Sequence, residues 1–230
     1  MRIAGLQKLT LLDFPGKVAC TVFTAGCNLR CPFCQNASLV LPERFGETLE
    51  AEELLRFLNK RVGVLDGVAI TGGEPMLHAE LPELLREIRA LGFQVKLDTN
   101  GGFPERLERV IDEGLVDYVA MDIKNAPAFY AETAGVSALR LEPFERSKAL
   151  LMRGRVDYEF RTTVVKGLHD RERLLLAAEW IAGARRWFLQ QYRDSGEILN
   201  MSGLSAFDEN EMQRFAKEAC AFVPTQVRGI

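Results

Sequence analysis

The chain has 230 residues, of which 47% are hydrophobic, and this is enough apolar material for one substantial core. Its 29 basic and 32 acidic side chains give a formal charge of -3 and form no blocks, which argues against a nucleic-acid partner. No run approaches the roughly 18 apolar residues of a membrane helix, and the first residues lack the apolar centre of a signal peptide. We therefore expect a cytoplasmic protein with no membrane association, in which residues 1–230 form one domain.

After an extended stretch over residues 1–16, one unit repeats along the chain. Each unit has an apolar run rich in β-branched residues, then a polar or glycine-rich corner, then an amphipathic stretch. The predicted strands cover residues 18–24, 66–71, 93–97, 116–121, 157–165 and 186–192, and a short tail strand covers 222–228. The predicted helices cover residues 48–61 with Thr48 as N-cap, 81–91, 104–113, a broken return over 128–133 and 143–153, a stretch ending near 181, and 208–221.

Six consecutive strand–helix units predict an α/β protein with parallel strands and outer helices. An open doubly wound sheet and a barrel are both compatible with this order. Every unit places its unusual chemistry directly after its strand, and this favours a barrel, because barrel enzymes build their sites there. Six units are too few for a closed eight-unit barrel. We therefore expect a partial (β/α)6 TIM-like barrel that is open along one side.

The corner after the first strand carries Cys27, Cys31 and Cys34. Several thiolates on a short irregular loop are typical of a soft metal or an iron–sulfur cluster. A structural zinc site normally has a fourth ligand, and neither histidine, His78 or His169, lies at ligand spacing. A zinc turn with a distant ligand and a redox dithiol remain alternatives.

The other cysteines, Cys20 and Cys220, have no partner at ligand spacing, and in a cytoplasmic protein disulfides are not expected. We predict that both are small buried hydrophobic residues.

The second and third corners contain groups that suit a polar ligand. Gly72 and Gly73 allow the backbone to approach a ligand closely, although Gly-Gly-Glu-Pro is also an ordinary turn. Asp98 and Asn100 suit ribose hydroxyls or a carboxylate, although a common turn with a capping Asp98 would look the same.

The later units add charged and amide groups. Asp122 and Lys124 share one face of the chain because they are two residues apart, and a surface ion pair is the simpler explanation. Arg161 lies among apolar neighbours, where a charge needs a partner; it could bind a ligand carboxylate or pair with Glu159 or Asp122. Gln191, near the end of the sixth strand, could border a bound base.

The spacing Cys27-x-x-x-Cys31-x-x-Cys34 after a first strand, with Phe33 before the third cysteine, resembles the signature of the radical S-adenosylmethionine (radical SAM) enzymes. The resemblance implies a [4Fe-4S] cluster held by the three cysteines. Its open iron would be chelated by the amino and carboxylate groups of S-adenosylmethionine. One electron into the sulfonium would then give methionine and a 5′-deoxyadenosyl radical.

The resemblance also assigns roles to the later corners. Gly72, Gly73 and Glu74 match the segment that accepts hydrogen bonds from the methionine ammonium, and Asp122 and Lys124 match a cofactor-contacting Asp-x-Lys. The full set of predicted cofactor-binding residues is Phe33, Gln35, Gly72, Gly73, Glu74, Asp98, Asn100, Asp122, Lys124, Arg161 and Gln191.

Two segments indicate which group of radical SAM enzymes the chain resembles. They are Leu12-Asp13-Phe14-Pro15-Gly16-Lys17 and residues 23–36 around the cysteines. Both are similar to the activating proteins of anaerobic ribonucleoside-triphosphate reductase. That family implies a glycyl-radical enzyme as partner, in which one backbone glycine loses a hydrogen atom, and flavodoxin or ferredoxin as electron donor. A compact barrel without an added substrate domain suits a macromolecular substrate.

Two other readings remain open from the sequence. A radical SAM enzyme of the 7-carboxy-7-deazaguanine synthase type, acting on a small molecule, has the same compact architecture. A non-catalytic iron–sulfur or zinc-binding module would need only the cysteine corner, and it would not bind S-adenosylmethionine.

Overall fold

A computed structural model describes residues 1–194, 196, 198–200 and 202–229, and it contains one eight-stranded sheet whose spatial order follows the chain order. The strands are β1 Ile3–Thr10, β2 Ala19–Thr24, β3 Gly67–Gly72, β4 Gln94–Thr99, β5 Tyr118–Asp122, β6 Asp157–Val164, β7 Trp187–Gln191 and β8 Thr225–Arg228. β1 pairs with β2 in the antiparallel direction, and all other neighbours are parallel. β1 and β8 each have only one neighbour, so the sheet is not closed.

The helices connect the parallel strands. They are α1 Ala37–Val40, α2 Ala51–Asn59, α3 Leu81–Ala90, α4 Pro104–Asp112, α5 Tyr130–Ala134, α6 Glu142–Met152, α7 Arg171–Trp180 and α8 Glu209–Ala219. The main buried cluster joins strand residues such as Val22, Ile70 and Leu97 to helix residues such as Leu54 and Leu85. The residues of each parallel strand that face the helices thus form the core, and the alternate residues face the inside of the sheet.

This architecture confirms the predicted α/β partial barrel with parallel strands and outer helices. The six predicted units correspond to β2–β7, and the predicted tail strand is β8. The extended stretch over residues 1–16 contains β1, which places Ile3 beside Thr24 and Thr10 beside Ala19. The carboxyl ends of the parallel strands therefore lie near the start of β1.

The prediction that Thr48 caps the first helix was wrong. The Leu49 amide donates to the Ile3 carbonyl oxygen at 2.8 Å and extends the backbone beside β1. α2 consequently begins only at Ala51, with Glu50 as the N-cap.

The prediction that Cys220 is buried was also wrong. Cys20 is fully buried in the core, but Cys220 is exposed just after α8 and its thiol lies 3.5 Å from the Thr225 carbonyl oxygen. The apolar periodicity of α8 ends at Ala219, so nothing requires the next residue to face the core.

The amino end of the barrel is filled by aromatic rings. Phe14, from the turn between β1 and β2, packs with Tyr118, Ala19 and Ala120 in a small separate apolar cluster. A Cβ on Gly67 would lie 2.8 Å from the Phe14 ring, which shows how closely this end is packed. Access to the inside of the sheet is therefore from the carboxyl end or through the gap between β1 and β8.

A buried ion pair lies next to this apolar cluster. Glu159 on β6 is fully buried; it accepts a 2.7 Å hydrogen bond from the Tyr118 hydroxyl and pairs with both guanidinium nitrogens of Arg228 on β8 at 2.6 and 2.8 Å. The last strand is thus fastened to the inside of the sheet by a paired charge, as burial requires.

No helix in the part of the chain that the structure describes is long and apolar enough to cross a membrane.

Candidate active site

One cavity of about 410 Å³ lies inside the sheet below the cysteine corner. Twelve of the fourteen predicted site residues line it: Cys27, Cys31, Cys34, Phe33, Gln35, Gly72, Gly73, Asp98, Asn100, Asp122, Lys124 and Arg161. They come from corners and strands that are far apart in sequence, and the parallel arrangement brings them together, as expected for a barrel site. Glu74 and Gln191 do not line the cavity.

The cysteine corner is held in place by backbone hydrogen bonds from other segments. The Gly26 amide donates to the Leu39 carbonyl oxygen at 2.6 Å, and the Arg30 amide donates to the Ala134 carbonyl oxygen at 2.9 Å. Gly135 has a φ of +67°, and a Cβ there would lie 2.0 Å from the Arg30 carbonyl oxygen. Packing against α1 and α5 therefore shapes the loop.

The thiols occupy a low-dielectric wall of the cavity. Burial raises the pKa of Cys27 to about 12, and the nearby Glu74 carboxylate adds to this; burial likewise raises the pKa of Cys31 to about 11. Asn100 Nδ2 lies 3.8 Å from Cys27 Sγ and 2.8 Å from Asn28 Oδ1. Without a bound cation these thiols keep their protons, and binding a metal centre would displace the protons.

The glycines of the second corner serve close backbone packing. A Cβ on Gly73 would lie 2.0 Å from the Gly26 carbonyl oxygen, and one on Gly72, whose φ is +112°, would lie 2.4 Å from the Thr24 amide nitrogen. The Gly73 amide donates to the Thr24 carbonyl oxygen at 2.8 Å. The pair therefore fastens β3 to the cysteine corner and also forms part of the cavity wall.

Glu74 lies behind this wall and is fully buried. Its carboxylate accepts hydrogen bonds from the Met76 amide at 3.0 Å, the Thr99 hydroxyl at 2.7 Å and the Asn100 amide at 2.6 Å. Burial raises its pKa to about 7, against the opposing effect of these donors. In this structure Glu74 holds the Thr99–Asn100 corner in position, and its carboxylate oxygens are already occupied.

Five charged side chains on β4, β5 and β6 and in the corner after β5 form what we call the charge ladder. The order in space is Lys96, Asp98, Arg161, Asp122 and Lys124, so that the signs alternate. Arg161 joins the two carboxylates at 3.0 Å each, Lys124 lies 3.0 Å from Asp122, and Lys96 contacts Asp98. Of the alternatives left open for Arg161, the structure shows the pair with Asp122 and replaces the pair with Glu159 by one with Asp98.

The ladder shifts the ionisation of its own members. Burial alone would raise the pKa of Asp122, but Lys124 and Arg161 outweigh it and lower the pKa to about 2. The same balance lowers the pKa of Asp98, where Arg161 and Lys96 are the opposing cations. Asp98 and Asp122 therefore stay ionised at neutral pH, and the ladder sets three basic side chains against these two carboxylates.

The corner that carries Lys124 has its own support. The ring of His169 is buried; Nδ1 accepts from the Val165 amide at 3.1 Å, so Nε2 carries the proton and donates to the Lys124 carbonyl oxygen at 2.8 Å. Asn125 donates to the Thr133 hydroxyl and the Leu168 carbonyl oxygen at 2.9 and 3.0 Å. These hydrogen bonds hold the backbone of the corner that carries Lys124, the last residue of the ladder.

Sequence reasoning missed most of the uncharged polar groups that line the cavity. They are Gln7 on β1, Thr21 on β2, Thr163 on β6 and Gln190 on β7, and we call them the neutral wall. Asp13 also lines the cavity and accepts a 2.5 Å hydrogen bond from the Thr21 hydroxyl. Strand alternation in the structure explains Gln190, because Trp187 and Leu189 face the core and Gln190 then faces inward.

The predicted Gln191 has the opposite orientation. Its Nε2 donates to the Phe207 carbonyl oxygen at 2.6 Å, outside the cavity lining. The contact of Gln191 with a bound base stays a prediction, whereas its neighbour Gln190 lines the cavity.

Comparisons with known proteins decide the family. The model of the radical SAM superfamily matches residues 21–178, which is more than half of the chain. The chain is a radical SAM protein.

Individual relatives of this radical SAM chain fall into more than one group. A Methanocaldococcus jannaschii protein with the provisional name glycyl-radical enzyme activating enzyme is 30% identical over 98% of this chain and 94% of that protein. The 7-carboxy-7-deazaguanine synthase of Hyperthermus butylicus is 41% identical, but over only 40% of this chain and 38% of that enzyme.

Solved structures agree in fold. SuiB of Streptococcus suis bound to S-adenosylmethionine superimposes with a TM-score of 0.70 at 15% identity, over 90% of this chain and 49% of that chain. The radical SAM chain thus spans about half the length of this structural neighbour.

The cofactors of the family are a [4Fe-4S] cluster and S-adenosylmethionine, and the donor set of the cavity suits both. Three thiols at one end match a cluster that leaves one iron open to a ligand. The ladder carries charges of both signs, which suit a zwitterionic ligand.

Proposed function

We propose that this radical SAM protein reductively cleaves S-adenosylmethionine and uses the radical to take a hydrogen atom from a backbone glycine of a partner enzyme. One observation carries the proposal: three thiols, the charge ladder and the neutral wall all border the same cavity. Similarity to a protein named as a glycyl-radical enzyme activating enzyme, over nearly the whole of both chains, supports the activase type. The proposed partner is a glycyl-radical enzyme of the anaerobic ribonucleotide reductase type.

Cys27, Cys31 and Cys34 would hold the cluster, which when bound supplies the electron that splits the sulfonium into methionine and the 5′-deoxyadenosyl radical. The electron would come from reduced flavodoxin or ferredoxin. Phe33 and Gln35 lie beside the thiols and would border the cofactor from the same loop. The 5′-deoxyadenosyl radical would take up the hydrogen atom and become 5′-deoxyadenosine, and the glycine would keep the unpaired electron, so that the step balances.

The ladder would bind the methionine moiety. Its three cations and two carboxylates leave one positive charge in excess, which an added carboxylate neutralises. Lys124 stands at the open end of the ladder and has a single carboxylate partner among the described residues, Asp122, whereas Arg161 is held between two. We therefore assign the carboxylate to Lys124, and the ribose hydroxyls to Asp98 and Asn100.

The neutral wall would face the hydrogen donor. Gln7, Thr21, Thr163 and Gln190 offer amide and hydroxyl groups, which suit the donors and acceptors of a peptide backbone. Gln7 is exposed although it lines the cavity, so the cavity opens to solvent beside β1. A glycine-bearing loop could enter through this opening.

The first test is anaerobic reconstitution with iron and sulfide, followed by addition of S-adenosylmethionine and dithionite and an assay for 5′-deoxyadenosine. We expect product with the wild type, and neither cluster absorbance nor product with Cys31→Ala, while Cys20→Ala behaves as the wild type. Formation of 5′-deoxyadenosine by Cys31→Ala would contradict the assignment of Cys31 as a cluster ligand. A well-formed cluster without product would favour the binding-module reading.

The second test adds a protein substrate. Purified anaerobic ribonucleoside-triphosphate reductase and pyruvate formate-lyase are incubated separately with the reduced holoprotein, and the glycyl radical is sought by electron paramagnetic resonance. A signal in either enzyme supports the activase function and names the partner class. Cleavage of S-adenosylmethionine with no signal in either enzyme would contradict it.

A second candidate is chemistry of the 7-carboxy-7-deazaguanine synthase type, favoured by the similarity over part of the chain to the enzyme of Hyperthermus butylicus. It predicts 7-carboxy-7-deazaguanine, detectable by mass spectrometry when the reduced holoprotein is given a cell extract depleted of protein. Activase chemistry predicts no such product.

A further inference from the structure

An exposed apolar ridge lies next to the part of β1 that lines the cavity, toward the amino end of the barrel. Leu9, Leu11 and Leu12 are 57%, 68% and 91% exposed, although large aliphatic side chains are normally covered. All three lie within four residues at the end of β1 and in the turn that follows. Such a concentration on one turn is typical of a contact surface.

The ridge is continuous with the cavity. Gln7 precedes it and Asp13 follows it, and both side chains line the cavity. The Gln7 side chain also donates to the Leu9 carbonyl oxygen at 3.0 Å, so the exposed end of β1 and the cavity mouth form one structural unit. Below this unit, Phe14 seals the barrel.

Two lysines beside the ridge have no ion-pair partner among the described residues, whereas the acidic residue of the same segment, Asp13, lines the cavity and accepts from the Thr21 hydroxyl. Lys8 is exposed on β1 and Lys17 closes the turn, and neither forms an ion pair within the described part of the chain. Lys60 is exposed in the neighbouring turn after α2, where Val62 and Val64 are also exposed. Asp66 joins the two turns by accepting from the Val18 amide at 2.8 Å.

The outer edge of β1 is also free. β1 pairs only with β2, and apart from the bridge between Ile3 and Leu49 its other edge has no strand partner among the described residues. An exposed strand edge can pair with an extended segment of another chain.

We infer that residues 7–17 form the docking surface for an extended segment of the protein substrate, one with apolar side chains for the leucine ridge and acidic side chains for the lysines. The segment lies along β1 and leads its reactive residue past Gln7 and Asp13 into the cavity. This inference rests on the proposed function, since it names the surface by which the partner enzyme is recognised.

The test compares Leu11→Ser/Leu12→Ser with Leu176→Ser, a leucine on α7 that is 40% exposed and belongs to neither ridge nor cavity. Each reduced holoprotein is assayed for 5′-deoxyadenosine without partner, and for glycyl-radical formation at increasing concentrations of the enzyme that accepts the radical. We expect the ridge variant to cleave S-adenosylmethionine normally and to need roughly tenfold more partner for half-maximal transfer. The control should match the wild type in both assays.

Reversing the charge of the two lysines tests the docking surface independently of the leucines. Lys8→Glu/Lys17→Glu should weaken transfer in the same way, and added salt should reduce the difference from the wild type, because screening acts on exposed charges. Normal transfer by both double variants would overturn the docking surface and leave the proposed function intact.

Hydrogen exchange separates the two proposals if no glycyl radical forms. The probe is a synthetic extended peptide of alternating leucine and glutamate around one glycine, added to the full-length holoprotein. Slower exchange of the amides in residues 7–17 would support the docking surface, and unchanged exchange would overturn it. A concentration-dependent dimer that the Leu11→Ser/Leu12→Ser variant abolishes would also overturn it, because the ridge would then be covered by a second copy.

Discussion

The charge ladder and the neutral wall border one cavity but differ in how their polar groups are used. In the ladder, each carboxylate is paired with two cations. In the neutral wall, Gln7 and Thr21 donate to the Leu9 carbonyl oxygen and to Asp13, whereas neither Thr163 nor Gln190 makes a side-chain hydrogen bond among the described residues.

The ladder is therefore a preorganised group of side chains, whereas part of the neutral wall has polar groups without protein partners. The ladder fixes its geometry before any ligand arrives, as expected of groups that must orient a reactive cofactor. In the neutral wall, Thr163 and Gln190 keep their donors and acceptors available for a molecule that comes and goes. Four measurements test this contrast.

The largest effect is expected from Arg161→Met. The change leaves Asp98 and Asp122 buried with one cation fewer, and breaking a buried pair costs about 3–5 kcal/mol of folding free energy. Urea unfolding of the apoprotein measures the loss. A loss below about 1 kcal/mol would mean that the ladder is solvated and not preorganised.

The second measurement contrasts the two kinds of buried carboxylate. Glu74 is bound by neutral donors, and its pKa is raised from 4.5 to about 7, whereas the cations beside Asp122 lower its pKa to about 2. Because the folded state holds the Glu74 proton more tightly than the unfolded state, stability falls as pH rises from about 4.5 to 7. The loss is at most about 3 kcal/mol.

Urea unfolding of the apoprotein between pH 4.5 and 8 checks this, with Glu74→Gln as the control. The variant should lose the pH dependence that Glu74 contributes. It should also be less stable than the wild type, because the NH2 group that replaces one carboxylate oxygen cannot accept from the Asn100 backbone N–H. Equal slopes for both proteins would show that Glu74 is ionised throughout this range.

The third measurement concerns the open end of the ladder. Lys124→Ala should weaken S-adenosylmethionine binding roughly tenfold to a hundredfold while the iron content stays normal, because a charge-assisted hydrogen bond is lost. Equilibrium dialysis of the reconstituted protein gives the affinity, and Lys124→Arg should recover part of it. Loss of iron in the alanine variant would show that Lys124 supports the cysteine corner instead.

The smallest effect is expected from Thr163→Val, which lies two residues beyond Arg161 on the same face of β6. Its hydroxyl has no hydrogen-bond partner among the described residues, so stability should change by no more than about 0.5 kcal/mol. This variant is the matched control for Arg161→Met. A loss of folding free energy comparable to that of the arginine variant would remove the distinction between the ladder and the neutral wall.

Much of the fold and half of the cavity could be predicted from the sequence. Apolar β-branched runs gave six strands, and the corners after them gave the cysteines and the ladder residues Asp98, Asp122, Lys124 and Arg161. Local patterns suffice where an unusual residue follows an apolar run, since strand ends meet in a parallel sheet.

The rest depends on contacts that no local pattern contains. Leu49 is extended because Ile3 accepts its amide proton, and Gln7 and Asp13 reach the cavity because β1 pairs with β2 in the antiparallel direction. Whether Gln190 or Gln191 faces the cavity depends on which alternate residues of β7 point inward, and a shift of one residue reverses the answer. The adjacent Trp187, Phe188 and Leu189 are all apolar and cannot set that phase in the sequence.

The bonds that hold the cysteine corner run to distant parts of the chain, since the Gly26 amide donates to Leu39 and the Arg30 amide donates to Ala134. Gly135 packs against the same loop, and a Cβ there would lie 2.0 Å from the Arg30 carbonyl oxygen. A sequence change far from the cysteines can therefore displace them. A natural variant of this protein could lose the geometry of its three thiols while the cysteine spacing in its sequence stays unchanged.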